Sequence, residues 1–545
     1  MNYNIQGISF VIKFVIWYNS IVFKEDNNVA EKLSDQELAR RAKLEKYKEL
    51  GIDPFGSKYD QKNHSQEVKD LANKIITEFK EKNKDLNEED LKNALHEHLE
   101  KENINVSVAG RIMFIRKMGK ASFFSIQDKM GKIQIYIKRD TVGEENYDLF
   151  KMADIGDFVG ILGTIMLTMT GEVTINCSKY THLVKSLRPL PEKFHGLQDV
   201  EERYRRRYLD LIMNEDAKRV AILRPRIIRA MQEYFDNEGF IEVETPVLQN
   251  IQGGATARPF ITHHNALDAN FYLRIATELH LKRLLVGGLE RVYEIGRIFR
   301  NEGMDKTHNP EFTTVELYEA FGDLSSMMDL NEGVIRYAAK KVIGKTIFNN
   351  PFDPEGEKID ISKPFRRVTM CELIKEATGV DFKNNHYTLE EAIEIAKEHK
   401  VPVEPHFTVG HVINAFFEEF CEEKLIQPTF LMGHPIEISP LTKKDPEDPR
   451  FVQIFELFIG GHEFSNAYTE LNDPIDQRER FEEQLAEKAK GNDEANEMDT
   501  DFVESLEYGM PPAGGIGIGI DRLVIFLTES TTIRDVILFP QMKTR

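Results

Sequence analysis

Cysteine is scarce in this sequence of 545 residues. Its only cysteines are Cys177, Cys371 and Cys421, which lie far apart without CxxC spacing. This pattern excludes a disulfide framework and a cysteine zinc site. It favours free buried thiols in a reducing compartment, so we expect a cytoplasmic protein. Internal repeats and low-complexity tracts are also absent from the sequence.

Positive charge is outweighed by negative charge, and the formal net charge is −20. This balance argues against a surface covered with nucleic acid, although a local basic patch remains compatible with RNA binding. The hydrophobic fraction of 41% and the charged fraction of 30% fit a soluble globular protein. A chain of this length exceeds what one core usually serves, so two or three domains are expected.

Long apolar runs are missing except near the N-terminus. The run from Ile8 to Phe23 is short for a membrane span and is interrupted by Lys13. It also lacks a preceding basic region and a small-residue cleavage site. We therefore treat residues 1–29 as an atypical apolar extension and expect no membrane association. A spurious upstream start codon is the preferred explanation, and the alternatives are a poorly ordered extension and a membrane anchor.

The periodicity changes several times along the rest of the chain. Residues 30–104 are predicted to be helical, beginning with the capping-box pattern at 34–37. Residues 105–188 have a period of two and a hairpin turn at 128–131. Five short strands in this stretch suggest a small closed barrel, for which an OB-fold that binds single-stranded nucleic acid is the natural candidate.

Residues 189–197 contain two prolines and are predicted to be a stiff linker. From residue 198 to 545, strands and helices mix without strict alternation, which favours an α+β domain over a Rossmann fold. A helical insertion is expected at about 380–425. The predicted fold class is therefore α+β and multidomain.

Two stretches carry the chemical signal. The first, FRNE at 299–302, places Arg300 and Glu302 at i, i+2, so both side chains would face the same way on an extended strand. A polar loop then leads to His308 and Phe312. The second, GIGIGIDR at 515–522, alternates glycine with isoleucine, which is expected where one strand face must stay bare for a flat ligand. Together they indicate a nucleotide site on an antiparallel sheet.

These stretches resemble motifs 2 and 3 of the class II aminoacyl-tRNA synthetases, and residues 239–246 are similar to motif 1. Within this class the chain most resembles the lysyl-tRNA synthetases, from about residue 30 to the C-terminus. The segments that support this are 194–199, 203–210, 253–260 and 466–473. The resemblance implies an anticodon-binding OB-fold barrel, an antiparallel-sheet catalytic domain, and a homodimer built on motif 1.

The resemblance also implies a reaction in which ATP activates lysine and the lysyl group passes to the 3′ end of tRNA(Lys). The first step needs positioning and charge neutralisation rather than a protein nucleophile. Arg300 and Arg522 are the implied catalytic residues, and Mg²⁺ is implied at Glu456 and Glu463. The residues implied to bind ATP are Arg300, Glu302, His308, Phe312, Gly515, Gly517, Gly519 and Arg522.

Recognition of lysine and of tRNA is implied at separate places. A buried ammonium needs a carboxylate partner. The residues implied to bind lysine are Gly254, Glu278, Arg300, Tyr318, Asn466 and Glu470. The residues implied to read the anticodon are Arg116, Phe123, Gln134 and Glu172. The basic residues of the first helix, between 40 and 48, fit either a solvated face or a contact with the RNA backbone.

Other functions remain as alternatives. Aspartyl- and asparaginyl-tRNA synthetases share the architecture but need a cationic or amide-reading pocket, which Glu278 and Glu470 oppose. A ligase that acts on a protein substrate would lack the barrel. A catalytically inactive RNA-binding paralogue is opposed by Arg300, Glu302 and Arg522.

Overall fold

The computed structural model describes residues 33–191, 199–255, 257–438, 442–489 and 497–544. The predicted extension 1–29 and residues 192–197 of the predicted linker lie outside the described residues. Contacts divide the chain into two compact units, Met1–Phe194 and His195–Arg545. Across the described ranges, no helix is both long enough and apolar enough to cross a membrane.

Helices open the first unit. They are α1 (Asp35–Glu49), α2 (Ser65–Lys82) and α3 (Glu88–Glu102). The predicted capping box is present, because the Ser34 side chain accepts from Glu37 N–H while the Glu37 carboxylate accepts from Ser34 N–H. The second predicted helical stretch is divided in two. A new helix begins where the Asn87 side chain accepts a hydrogen bond from Asp90 N–H.

The basic face of α1 is partly used inside the first unit. Arg40 is buried and donates to the carbonyl oxygens of Ser186 and Ile155 at 3.1 and 2.9 Å. Lys43 Nζ lies 2.5 Å from Asp154 Oδ1. These two residues therefore anchor the helix to the rest of the first unit, and the buried Arg40 is not part of a solvated face.

Five strands form the predicted barrel. They are β1 (Asn105–Met118), β2 (Ala121–Gln127), β3 (Lys132–Lys138), β4 (Phe158–Leu167) and β5 (Val173–Val184), with the short helices α4 (Arg139–Val142) and α5 (Glu144–Met152) after β3. The strands close in the order β1-β2-β3-β5-β4, because the long strand β1 pairs with both β2 and β4. Alternate residues such as Phe124, Ile126 and Ile135 fill the interior, which accounts for the period of two.

The second unit mixes helices and strands. Its helices are α6 (Val200–Arg205), α7 (Arg207–Met213), α8 (Glu215–Asn237), α9 (Glu278–Val286), α10 (Leu324–Ala338), α11 (Met370–Thr378), α12 (Leu389–Glu398), α13 (Val409–Phe420), α14 (Pro474–Ala489), α15 (Thr500–Glu507), α16 (Ile520–Thr528) and α17 (Ile533–Val536). Its strands are β6 (Ile241–Glu242), β7 (Leu248–Gln249), β8 (Ile261–His264), β9 (Ala269–Leu273), β10 (Arg291–Phe299), β11 (Glu311–Ala320), β12 (Ile347–Phe348), β13 (Ile359–Asp360), β14 (Arg366–Thr369), β15 (Thr429–Met432), β16 (Ile454–Ile459), β17 (His462–Thr469) and β18 (Ala513–Gly519).

An eight-stranded sheet organises this unit in the order β14-β15-β16-β17-β18-β11-β10-β6. Its five inner pairings, from β15 to β10, are antiparallel, and both edge strands pair in parallel. One face packs on helices through residues such as Leu317, Ile516, Ile518 and Phe455, which are almost fully buried. The other face is left to carry polar residues.

Residues 380–425 contain α12 and α13 and lie between β14 and β15. These helices pack with α11 around Phe382, Val412 and Phe416, which are buried in a cluster separate from the core beneath the main sheet. The helical segment therefore has a core of its own and leaves the pairing of the central strands undisturbed.

Candidate active site

A row of residues crosses the open face of the large sheet. Glu316 of β11 lies opposite Gly517 of β18, Gly517 lies opposite Asn466 of β17, and Asn466 lies opposite Glu456 of β16. Because residues directly opposite each other on paired strands point to the same face, these four positions share one side of the sheet. Antiparallel pairing thus gathers residues from distant parts of the chain into one polar surface.

The glycines of β18 are of two kinds. A Cβ atom added at Gly517 would meet Asn466 Oδ1 at 3.3 Å, which a small shift of that side chain would relieve, and one added at Gly519 would make an ordinary contact with Phe464 O at 3.5 Å, so both positions have room for a methyl group. A Cβ atom at Gly515 would instead overlap the Glu470 carboxylate and lie 2.5 Å from the Tyr318 ring. The predicted bare floor is therefore present at Gly517 and Gly519, whereas protein side chains fill the space above Gly515.

Arg300 and Glu302 do not lie on a strand, so the extended conformation predicted for this pair is wrong. Strand β10 ends at Phe299, and Glu302 N–H donates to Arg300 O at 2.9 Å in a tight turn. The Arg300 guanidinium carbon lies 5.3 Å from the centroid of the Phe312 ring. Its Nε atom is buried and has no hydrogen-bond partner among the described residues. A buried donor without a partner is costly, so this atom fits an anionic ligand.

Arg522 is held by partners on both sides. It lies in the first turn of α16 and donates to Glu463 O at 2.5 Å. Its other terminal nitrogen lies 3.1 Å from His308 Nε2, while His308 Nδ1 lies 2.7 Å from Asp305 Oδ2. The tautomer that donates from Nδ1 to Asp305 leaves Nε2 free to accept from Arg522. Arg522 and His308 thus lie together at one edge of the site, and Arg522 supplies its positive charge.

Two carboxylates lie on the neighbouring strands β16 and β17 and interact electrostatically, Glu456 and Glu463. Burial acts to raise the pKa of Glu456, but the neighbouring imidazole of His434, whose Nε2 lies 3.2 Å from Glu456 Oε2, outweighs it, so the pKa is lowered. Burial and then the charge of Glu456 raise the pKa of Glu463, although Arg522 and Arg300 oppose this. The Glu463 side chain keeps 40% of its surface exposed. A cation held by both would relieve their repulsion.

These residues line one cavity of about 500 Å³, a volume that suits a small-molecule ligand. The cavity is lined by every predicted residue of the catalytic domain except Gly515 and Glu470. The structure therefore brings together the ATP, lysine and metal residues that the sequence places up to 268 positions apart, from Gly254 to Arg522.

One end of the cavity is acidic. Gly254 has φ +88°, which few other residues adopt, and it lies beside Glu278, the first residue of α9. Glu316 accepts from Thr277 N–H at 3.1 Å, and burial raises the pKa of its carboxyl group. The Tyr318 hydroxyl donates to Glu316 at 3.4 Å. These groups suit a cationic ligand.

Glu470 lies behind this end and is almost completely buried. Its Oε2 atom is 2.5 Å from Lys282 Nζ, which is also 2.6 Å from Glu278 Oε1. Burial, opposed by Lys282, raises the pKa of Glu470 to about 7. The predicted partner of the substrate ammonium is thus already paired with an internal cation.

Three titratable residues in or next to the site were not predicted from the sequence: Glu316, Lys282 and His434. Glu316 lies two positions before Tyr318 on an alternating strand, and that spacing could have revealed it. Lys282 follows Glu278 by four positions, which is the pattern of an ordinary exposed helix pair and therefore gave no warning. His434 lies between β15 and β16, and no local pattern marks it.

The four predicted anticodon residues lie on the barrel. Phe123 is half-buried on its outer face, next to Tyr136, whose ring centroid is 4.9 Å away. Arg116 of β1 is the cross-strand partner of Phe123. Gln134 donates to Glu172 Oε2 at 3.2 Å. An aromatic pair flanked by polar side chains is a surface on which an unpaired base can stack.

Comparison with known proteins gives the same two parts. Residues 199–543 match the family described as tRNA synthetases class II (D, K and N). Residues 106–183 match the family described as OB-fold nucleic acid binding domain. A lysine–tRNA ligase of Streptococcus pneumoniae (strain CGSP14) is 57% identical over 514 residues, which cover 94% of this chain and 99% of the relative. A lysine–tRNA ligase of Staphylococcus aureus (strain MRSA252) is 55% identical over 518 residues, which cover 94% of this chain and all of the relative.

Proposed function

The chain belongs to the class II tRNA synthetases, in the family of the lysine–tRNA ligases, and we propose which of its residues carry each step of that reaction. ATP and lysine react to lysyl-adenylate and pyrophosphate, and the lysyl group then passes to the 3′ end of tRNA(Lys). In the first step an oxygen of the lysine carboxylate attacks the α-phosphorus and pyrophosphate leaves. The site must hold two anions together while charge moves between them.

The observation that carries this assignment is the buried, unpartnered Nε of Arg300, which lines the same cavity as Gly517 and Gly519. Its planar guanidinium suits a bridge between the α-phosphate and the lysine carboxylate. Adenine would lie over Gly517 and Gly519, between Phe312 and Arg522. Glu302 would accept from the adenine amino group, and His308 and Arg522 would hold the γ-phosphate.

The acidic end of the cavity supports lysine as the amino acid. The Gly254 carbonyl and Glu278 would accept from the α-ammonium, and Asn466 would assist the carboxylate. Tyr318 and Glu470 would accept from the ε-ammonium. An aspartyl or asparaginyl side chain would meet Glu278, Glu316 and Glu470 without gaining a counter-charge, which disfavours those substrates.

Mg²⁺ is proposed at Glu456 and Glu463. Two neighbouring carboxylates of which one has a raised pKa fit a divalent cation. Among the described residues, no group of three or more metal-binding side chains occurs. Phosphate oxygens and water would therefore complete the shell, as is usual for Mg²⁺. The ion would neutralise phosphate charge and help to orient pyrophosphate as the leaving group.

A homodimer through motif 1 is also proposed. Strand β6 lies at the edge of the eight-stranded sheet, after the long helix α8. Ile241 and Leu248 are 50% and 46% exposed, so a partner would bury apolar surface there. Sedimentation of the whole protein tests this, with a mass of about 126 kDa expected from the 63.0 kDa chain; a monomer at micromolar concentration would contradict it.

Recognition of the anticodon is proposed for the outer face of the barrel, through Phe123, Arg116, Gln134 and Glu172. A cytoplasmic location is proposed because all three cysteines are free and buried.

Pyrophosphate exchange with each of the twenty amino acids tests the function. Lysine alone should support rapid exchange, with a requirement for Mg²⁺. Exchange that depends on aspartate or asparagine would refute the lysine assignment. Absence of exchange with every amino acid from a folded protein would favour an inactive paralogue.

A further inference from the structure

Lys282 is a buried cation with no role in the reaction described so far. It lies on α9, is 1% exposed, and places Nζ 2.6 Å from Glu278 and 2.5 Å from Glu470. Burial alone would lower its pKa, but Glu278 and Glu470 raise the pKa above its usual value. The side chain is therefore an ammonium bound between two carboxylates that the proposed function gives to the substrate.

The Lys282 ammonium lies near a set of three carboxyl groups that interact electrostatically. In their ionised forms, Glu278 on α9, Glu316 on β11 and Glu470 after β17 carry three negative charges, and Lys282, which lies between Glu278 and Glu470, carries one positive charge. Tyr318 and Tyr468 also face Glu470 but stay neutral, because burial raises the pKa of both well above the usual value. The sum is −2. Free lysine brings two ammonium groups, while its carboxylate would be neutralised separately by Arg300.

We propose that Lys282 is a positioning residue that sets the charge of the lysine pocket, so that the two substrate ammonium groups balance it. This proposal rests on the proposed function. Without Lys282, three carboxylates would share a buried space with no cation until lysine arrives. Like charges at short distance cannot all stay ionised, so one carboxylate would hold a proton at neutral pH. Lysine would then have to displace that proton in order to bind.

The pH dependence of lysine binding follows from the same groups. Burial raises the pKa of Glu470, opposed by Lys282, so lysine KM should rise as the pH falls below about 7. Removal of the Lys282 ammonium raises the pKa of Glu470 further. It therefore moves the acid limb of the pH profile, the range in which lysine KM rises as the pH falls, to higher pH. A shift of one pH unit corresponds to about tenfold in KM at a fixed pH on that limb.

The test is Lys282→Met, which keeps the length of the side chain and removes its charge. Lysine KM is measured by pyrophosphate exchange from pH 6 to 9, together with ATP KM. We expect lysine KM at pH 7 to rise about tenfold or more, recovery towards pH 9, and an unchanged ATP KM. Arg283→Met is the matched control, because Arg283 is the next residue of α9 and pairs with Asp499, away from the pocket lining. It should keep the wild-type pH limb.

A double variant separates charge from packing. Glu278→Gln with Lys282→Met removes one carboxylate and one ammonium together and restores the sum of −2. Its acid limb should return towards wild type even though lysine KM stays high from the loss of Glu278. The double variant also keeps the proposal testable if Lys282→Met alone does not fold, because removal of a whole buried ion pair is better tolerated than removal of one partner.

Two results would overturn the proposal. One is a folded Lys282→Met protein whose lysine KM rises without any shift of the limb, which assigns Lys282 a purely structural role. The other is a double variant whose limb stays where the single variant has it. Failure of the proposed function itself would look different, because the wild-type protein would then show no exchange that depends on lysine.

Discussion

At the scale of single residues, Arg300 is the position at which loss of one group should cost the most. Arg300→Lys keeps the charge but removes the fork and the unpartnered Nε donor. We expect kcat for lysine-dependent pyrophosphate exchange to fall by about 10²–10³-fold, the usual loss for one donor to a developing oxyanion. Arg297→Lys on β10, the strand that ends just before Arg300, is the control, because the Arg297 side chain is 47% exposed and lies 3.7 Å from Glu311. If kcat of the Arg300→Lys enzyme stays within a few-fold of the wild-type value, Arg300 does not take part in the reaction as proposed.

Residue identity was predictable where the chemistry demands a rare residue type in a short motif. Arg300, Phe312 and Arg522 were found in this way, and all three line the cavity. The state of Glu470 was not predictable. Its partner Lys282 lies 188 positions earlier, and the packing of helix α9 against the sheet, which brings the two together, is a tertiary property.

At the scale of elements, β18 should respond differently at its two kinds of glycine. Gly517→Ala adds a methyl group over open floor, so we expect a folded protein with a raised ATP KM. Gly515→Ala forces the methyl group against Tyr318 and Glu470, so we expect destabilisation by about 1–3 kcal/mol, the range for overpacking. Thermal unfolding and ATP KM measured on both variants check this. The interpretation fails if Gly517→Ala binds ATP normally, or if Gly515→Ala unfolds at the wild-type temperature.

The outer face of the barrel should matter for tRNA and not for activation. Phe123→Ala removes one stacking surface, which is worth about 1–3 kcal/mol in the charging of tRNA. Lysine-dependent exchange without tRNA should stay unchanged. Phe55→Ala is a matched control, since Phe55 is an exposed phenylalanine that bridges to Val184 and lies outside the Phe123 strand pairings. Equal loss of exchange and charging in Phe123→Ala would contradict the assignment.

Elements were predictable where periodicity is strong and neighbours are close. The hairpin of β2 and β3 around residues 128–131 was predicted correctly because turn and strands are local. The end of β10 was predicted wrongly, because Arg300 N–H bonds to Pro310 O but Pro310 has no N–H with which to return a bond, so the pairing stops there. Strand ends depend on such partners, and a pattern of residue types does not contain them.

At the scale of the whole molecule, the first 28 residues should be dispensable. Every described residue that lines the cavity lies between Gly254 and Ile533. Deletion of residues 1–28 should therefore leave lysine KM, ATP KM and tRNA charging unchanged. Mass spectrometry of the native protein provides a second check, because recovery of the intact 1–23 peptide from a membrane fraction would contradict the start-site explanation.

The two faces of β18 differ in composition, and this difference limits which insertions and deletions the gene can tolerate. Gly517 faces the nucleotide floor while Ile516 and Ile518 are buried in the core on the other side. A single extra codon that shifted this strand by one step would exchange the two sets, with isoleucines in the cavity and glycines in the core. Insertions or deletions of whole codons should therefore be selected against within β18, yet tolerated in loops that form no strand pairing. A deep insertion scan of the gene, selected for growth, would display this contrast as a sharp gap at 513–519.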